Sequence, residues 1–226
     1  MPIVEPDPRG AHGGRRSEQG TERAALGPQR VVVASGNAGK LAEIRATLDF
    51  AGWTFVAAGE LGVWPDVPET GASFLDNALI KARAALELFA MTALADDSGL
   101  EVDALGGLPG VRSSRFAGEV ATDAENNRRL LAELAGVAEE RRTARFRSVI
   151  VLIAPDGSFR CGEGVCEGRI ATRPAGAGGF GYDPLFLPMP TPGLTMAQLS
   201  LSEKNAISHR GAALRALRES IASGCG

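Results

Sequence analysis

Five times between Ser35 and Gly211 the chain sets glycine beside ionisable or amide side chains. The segments are SGNAGK (35–40), ADDSGLEVDALGG (95–107), GVRSSRFAGE (110–119), GGFGYDP (178–184) and EKNAISHRG (203–211). Glycine lets the backbone come close to a ligand and adopt turns that other residues resist. A fold that uses all five in one site must bring loops from across the chain to one place. That demand constrains the architecture more than any bulk property does.

The stretches between these segments read as alternating strands and helices. Val31, Val32 and Val33 form a short apolar run that feeds directly into residues 35–40, after which Leu41, Ile44 and Leu48 recur at helical spacing. A second helix is expected to start near Ser73, with Asp76 completing a capping-box variant and Phe74, Ala78, Leu79, Ala82, Leu86 and Phe89 on its apolar face. Residues 92–95 read as a strand ending at Asp96-Asp97, and Thr122 with Glu125 opens a helix running to about Ala135. Residues 146–154 and 158–170 form a hairpin around Pro155-Asp156-Gly157, with Gly162, Gly164 and Gly168 suggesting bulges or a strong bend. Residues 172–192 form a Gly- and Pro-rich loop around a strand at Phe186. A last helix, from near Ser208, is expected to bury Ala212, Leu214, Leu217 and Ile221. Mixed hairpins and strand–helix units make an α/β protein with a mixed sheet.

Composition narrows the function classes. The 24 Lys and Arg residues against 27 acidic ones leave no basic excess for a nucleic-acid polymer. No apolar run reaches the roughly 18 residues of a membrane span. Pro6, Asp7, Pro8 and Arg9 interrupt any signal-peptide core, so a cytoplasmic protein is expected. Cys161, Cys166 and Cys225 lack the partners of a zinc site and read as reduced thiols. Residues 1–29, with repeated glycine and proline, are expected to be a disordered tail or a misassigned start before a domain over 30–226.

The candidate chemistry lies in the loops. Residues 35–40 are not a P-loop, because Gly36 and Gly39 are too close together and Leu41 stands where a magnesium-binding hydroxyl belongs. A strand-to-helix turn can still offer N–H groups to phosphate, with Lys40 adding charge and Asn37 an amide donor. An ordinary turn with a solvated lysine fits the same residues. Gly176, Gly178 and Gly181 match a dinucleotide fingerprint, but Tyr182, Asp183 and Pro184 follow instead of a helix. Glu69, Asp96 and Asp97 are candidate magnesium ligands, and neighbouring acids on a strand face opposite ways, so one of the pair serves. Arg112 and Arg115 either bind phosphate or pair across a cleft, and Asp103 is structural. His12 and His209 are the only histidines, and a nucleophilic triad has no matched members.

In kind, order and spacing the five segments resemble the inosine triphosphate pyrophosphatase family, from about Val31 to the C-terminus. The resemblance implies hydrolysis of ITP, dITP and XTP to monophosphate and pyrophosphate, with Mg2+ as cofactor. It also implies a homodimer and an elongated, two-lobed α/β fold with a long curved mixed sheet flanked by helices and the site in the cleft between lobes. Carried over by position, the loop Ser35, Gly36, Asn37, Ala38, Gly39 and Lys40 holds the triphosphate, joined by Lys204. Glu69 and Asp97 bind the metal, Asp97 accepts the proton of the attacking water, and Ser98 touches substrate. Phe180 stacks on the purine with Gly181, Tyr182 and Asp183 around it, while Ser208, His209 and Arg210 line the base pocket. Arg210, a donor only, would favour a carbonyl at the purine 6-position over an amino group. Ser35 stands where the family more often has threonine. The rival readings are a related pyrophosphatase of modified pyrimidine or methylated nucleotides, and a sensor that binds nucleotide without turnover.

Overall fold

The computed structural model describes residues 29–48 and 52–223. In chain order its elements are β1 (Gln29–Val33), α1 (Ala38–Thr47), β2 (Trp53–Ala57), the single turn α2 (Ala58–Leu61), α3 (Phe74–Phe89), β3 (Ala93–Val102), α4 (Asp123–Glu133), β4 (Thr143–Ile153), β5 (Phe159–Ile170), β6 (Phe186–Pro188), α5 (Leu201–Ile207) and α6 (His209–Ser223). They form one six-stranded sheet in the order β2-β1-β3-β4-β5-β6. β1 runs parallel to β2 and β3, and the remaining pairs are antiparallel. The mixed α/β plan expected from the sequence is therefore the plan that forms. Most of the expected tail, and Cys225, lie outside the described residues, while Gln29 already belongs to β1. Among the described residues no helix is long and apolar enough to cross a membrane.

Local chemistry sets the helix starts. Ser73 Oγ accepts the Asp76 N–H at 3.2 Å while Asp76 Oδ2 accepts the Ser73 N–H at 3.1 Å. Thr122 and Glu125 repeat this reciprocal cap on α4, and Ser200 and Glu203 on α5. Each such cap is worth about 1 kcal/mol.

Side-chain alternation along β3 and β4 divides the interior. Ala93, Ala95, Val149, Val151 and Ile153 face α3, whereas Leu94, Ile150 and Leu152 face α1 and α6 on the other side. Further along that second face, Leu100, Val102, Ala144 and Phe146 join α4 and the loops around Tyr182 and Met196 in another cluster. Between the two apolar clusters of this face stand Asp96, Ser98 and Ser148, all polar. Two packed bodies with a polar gap between them make the cleft.

Three expectations need correction. The strand at Thr92 does not end at Asp96-Asp97 but runs to Val102, because the whole of β3 pairs with β4. Gly162 and Gly164 mark no bulge, since β4–β5 register is continuous through them. Instead they admit α6: a Cβ at either would overlap α6 backbone, at Ala213 and Leu217 for Gly162 and at His209 and Ala213 for Gly164. Finally, α6 buries Ala213 rather than Ala212. The elements β2, α2 and α5 carry no clear periodicity in the sequence and emerge only in the structure.

Candidate active site

β1 stops at Val33, and its register with β3 covers only Val32↔Ala93 and Val33↔Leu94. From Ala95 to Ser98, β3 is paired on the β4 side while its other edge opens on the cleft, and further along residues 108–113 cover that edge. Side chains from both faces of the strand reach that edge. This is how Asp96 and Asp97, pointing opposite ways, belong to one site.

On one face, Asp97 accepts from Lys81 Nζ at 2.7 Å and from Asn77 Nδ2 at 3.3 Å. The same Lys81 ammonium reaches Glu69 Oε1 at 2.8 Å. Arg115 fixes Glu69 further, donating to Oε2 at 2.9 Å and to the Glu69 carbonyl at 3.1 Å. Asn77, fully buried, also accepts the Gly71 N–H at 2.8 Å and so ties the Glu69 loop to Asp97. Burial pushes the Asp97 carboxyl above the usual range, with Lys81 pulling the other way. Burial acts likewise on Glu69, but there Lys81 and Arg115 prevail and hold it below its usual value.

On the other face, Asp96 is held by Ser148 Oγ at 2.6 Å, Lys40 Nζ at 2.9 Å and Arg210 Nε at 3.1 Å. Although burial opposes ionisation, Arg210 and Lys40 hold its carboxyl far below the usual range. An acid so firmly ionised and so fully paired is an anchor, not a base. Arg210 spends its other nitrogens on Glu43 and on Ser98 Oγ at 2.9 Å. Lys204 pairs with Glu43 at 2.9 Å and Asp183 at 2.8 Å, and its Nζ lies 4.5 Å from the centre of the Phe180 ring. His209 stacks on Phe146 at 4.7 Å, and burial holds it well below its usual pKa, so it is neutral. Its Nδ1 is buried without a hydrogen-bond partner.

Two adjoining recesses result. The wider, about 460 Å3, is bordered by Ser35, Asn37, Lys40, Glu69, Lys81 and Asp97. The narrower, about 130 Å3, is bordered by Phe180, Asp183, Lys204, His209 and Arg210. Asn37, Lys40 and Ser98 border both. Gly39 packs under Phe180, where a Cβ would stand 2.7 Å from a ring carbon.

The five segments therefore converge as expected, with some reassignment within them. Asn37 uses its side-chain oxygen to cap α1, accepting the Lys40 N–H at 3.0 Å, which leaves its amide nitrogen toward the cleft. Ser208 caps α6, its Oγ accepting the Gly211 N–H at 3.0 Å, and does not border the narrower recess. Tyr182 turns its side chain into the core, donating to the Ser113 carbonyl at 2.8 Å. Lys204 borders only the narrower recess. Sequence reasoning missed Lys81 and Glu43 and left Arg115 between binding phosphate and pairing across the cleft; it pairs with Glu69. For Lys81 a signal exists: with Asn77 it occupies the buried face of α3 that otherwise carries Phe74, Ala78, Ala82 and Ala85.

Glu69 and Asp97 supply hard oxygen donors converging on one cation, the Lys81 ammonium. Among the described residues no group of three or more His, Cys, Asp and Glu side chains assembles a full metal cage. Magnesium asks for less, one or two carboxylates with the remaining positions left to water and phosphate oxygen. The residues present fit it.

An open strand edge carrying paired acids, a strand-to-helix turn and a lysine beside a small aromatic-capped recess define an α/β protein with a charged cleft joined to an aromatic-capped pocket. The Ham1 family model matches residues 31–220, and the chain belongs to that family. It is 50% identical over 190 residues to a dITP/XTP pyrophosphatase of Desulforamulus reducens, covering 84% of this chain and 94% of that one. A protein of the same name from Escherichia coli O157:H7 is 47% identical over 198 residues, 87% of this chain and all of the other. A Ham1 protein from Coxiella burnetii superposes with a TM-score of 0.74 at 44% identity, covering 87% of this chain and 98% of that one. One from Staphylococcus aureus gives 0.76 at 39% identity, covering 87% and 100%.

Proposed function

We propose that this protein is a dITP/XTP pyrophosphatase, hydrolysing ITP, dITP and XTP to the nucleoside monophosphate and pyrophosphate with Mg2+ as cofactor. The observation that carries the reading is the convergence of Glu69 and Asp97 on Lys81 in a recess that opens directly onto the Phe180–Arg210 recess. One recess offers charge for phosphates, the other an aromatic plate and donors for a purine. The first turn of α1 and Lys40 face the polyphosphate at their shared border. Glu69 and Asp97 would hold the Mg2+ ion, which neutralises charge building on the phosphate oxygens. Asp97, its basicity raised by burial, accepts a proton from water as the water oxygen bonds to the α-phosphorus. The α–β anhydride bond breaks and its electrons leave with pyrophosphate. Arg210, held rigid by Glu43 and Asp96, offers donors to the carbonyl at the purine 6-position. Family resemblance extends the reading to a homodimer acting on free nucleotides in the cytoplasm.

Hydrolysis of ITP in 18O-labelled water tests it. The label is expected in IMP, with unlabelled pyrophosphate released, and Asp97→Asn is expected to lose most turnover while staying folded. Label in pyrophosphate would place attack on the β-phosphorus, and bound but intact ITP would make the protein a sensor.

A further inference from the structure

Phe180 stands on a tight turn closed by the Asp183 N–H to the Phe180 carbonyl at 3.2 Å. The next residue, Gly181, has φ +62, a conformation that disfavours a side chain. Both of its backbone polar groups are taken by one helix. Its N–H donates to Asp123 Oδ2 at 2.6 Å, and its carbonyl accepts from Asn127 Nδ2 at 2.8 Å. Asp123 and Asn127 are one turn apart on α4, so they stand on the same face of the helix.

Neither side chain forms the cap of α4. Thr122 and Glu125 cap its start, and Asn126 anchors it to the preceding segment through the Ser114 carbonyl and the Ala117 N–H. From the opposite side the turn is tied by Asp183, whose Oδ2 accepts the Phe180 N–H at 2.9 Å and the Lys204 ammonium at 2.8 Å. The aromatic plate is thus pinned between two bodies, α4 on one side and the α5 lysine on the other.

We propose that Asp123 and Asn127 are positioning residues that set the pitch of the Phe180 ring and so the affinity for the purine base. The inference rests on the proposed base recess beneath Phe180. Flat stacking depends on a ring held at one height and angle, and a plate released from α4 keeps its chemistry but loses that registration. Base affinity should fall while the phosphate end, built on Lys40, Lys81, Glu69 and Asp97, is untouched.

The test separates the two ends of the substrate by measuring inhibition by IMP, which carries the base, and by inorganic tripolyphosphate, which does not. In Asp123→Ala and Asn127→Ala, IMP binding is expected to weaken about tenfold, within the range of one lost stacking contact. KM for ITP should rise in parallel, with kcat and tripolyphosphate inhibition within about twofold of the parent. Asp123→Asn, which keeps an acceptor for the Gly181 N–H, should restore IMP binding. Added to Phe180→Ala, Asp123→Ala should have no further effect. Equal weakening of IMP and tripolyphosphate would overturn the proposal as general loosening. Unchanged IMP binding in both alanine variants, with loss in Phe180→Ala, would overturn it and leave the base recess standing. Unchanged IMP binding in Phe180→Ala would remove the recess itself.

Discussion

Replacing Lys81 by methionine removes an ammonium and keeps most of its apolar stem. In the parent, the Lys81 side chain is 11% exposed, with Asp97 at 6% and Glu69 at 23%. Its loss leaves two carboxylates facing a common point with Arg115 on only one of them. Breaking a buried pair costs about 3–5 kcal/mol. The partial exposure of Glu69 and its retained arginine put the expected loss at the lower end, about 3 kcal/mol. Its pH dependence has a definite sign. Burial and mutual repulsion raise the carboxyl pKa of the folded variant above the ordinary 3.8 of Asp and 4.5 of Glu. The folded variant then retains a proton that the unfolded chain releases, so its stability falls as pH rises through and above those values. Urea unfolding in chelator should show a small deficit near pH 4–5 and the full deficit at pH 8. Magnesium should then stabilise Lys81→Met more than the parent, whose ammonium competes for the same oxygens. At a hundredfold excess over Kd the gain is about 2.7 kcal/mol, enough to recover most of the loss. A variant as stable as the parent at pH 8 in chelator would refute the claim that these carboxylates need a cation. Equal magnesium shifts in both proteins would refute the claim that ammonium and metal share one place.

Three shorter predictions concern the face of the sheet that packs on α6. Gly164→Ala drives a methyl into the His209 carbonyl and the Ala213 N–H of α6, so it should cost about 3 kcal/mol in chemical denaturation, the upper end for overpacking; a cost below experimental error would show that α6 can shift freely. Arg210→Lys keeps a charge between Glu43 and Asp96 but loses the planar fork. The ITP-to-ATP ratio of kcat/KM should fall by about tenfold, the value of one or two unmatched hydrogen bonds, and an unchanged ratio would remove Arg210 as reader of the 6-position. Burial holds folded His209 neutral below its ordinary 6.5. The unfolded chain therefore takes up a proton as pH falls below about 6.5, and stability should drop by up to about 1.4 kcal/mol per pH unit until the folded pKa is reached. His209→Asn should flatten that slope; a parallel slope in the variant would assign the proton elsewhere.

What was legible in the sequence was what short-range chemistry determines. Ser73 with Asp76 and Thr122 with Glu125 announce helix starts because donor and acceptor lie three residues apart. The convergence of five glycine-bearing loops was legible as a resemblance. Asp96-Asp97-Ser98-Gly99 looked like the end of a strand because glycine and short polar residues interrupt local β preference. Pairing with β4 overrides that preference, a tertiary effect that no window around Asp97 contains. Gly162 and Gly164 read as bulges or a bend, because the helix that needs them lies more than forty residues further on. Lone charges such as Lys81 and Glu43 read as solvated helix positions until the partners that bury them are known. Those partners come from the Glu69 loop and β3, 12 and 16 residues from Lys81, and for Glu43 from α5 and α6 near the other end of the chain.

The alternation of Asp96 and Asp97 along a single extended strand has a consequence for how substrates are measured. Asp96 is bolted to Arg210, Lys40 and Ser148, Asp97 to Lys81 and Asn77, and only a peptide bond separates them. That spacing is set by covalent geometry and cannot stretch. Under the proposed function, the cleft would therefore work as a gauge with its zero at the base. The phosphorus brought to Asp97 would be the one at a set reach from the nucleoside, however many phosphates trail beyond it. A nucleoside diphosphate would present the same α-phosphorus and part with orthophosphate, whereas a site indexed on the terminal phosphate would move its point of cleavage with every phosphate removed.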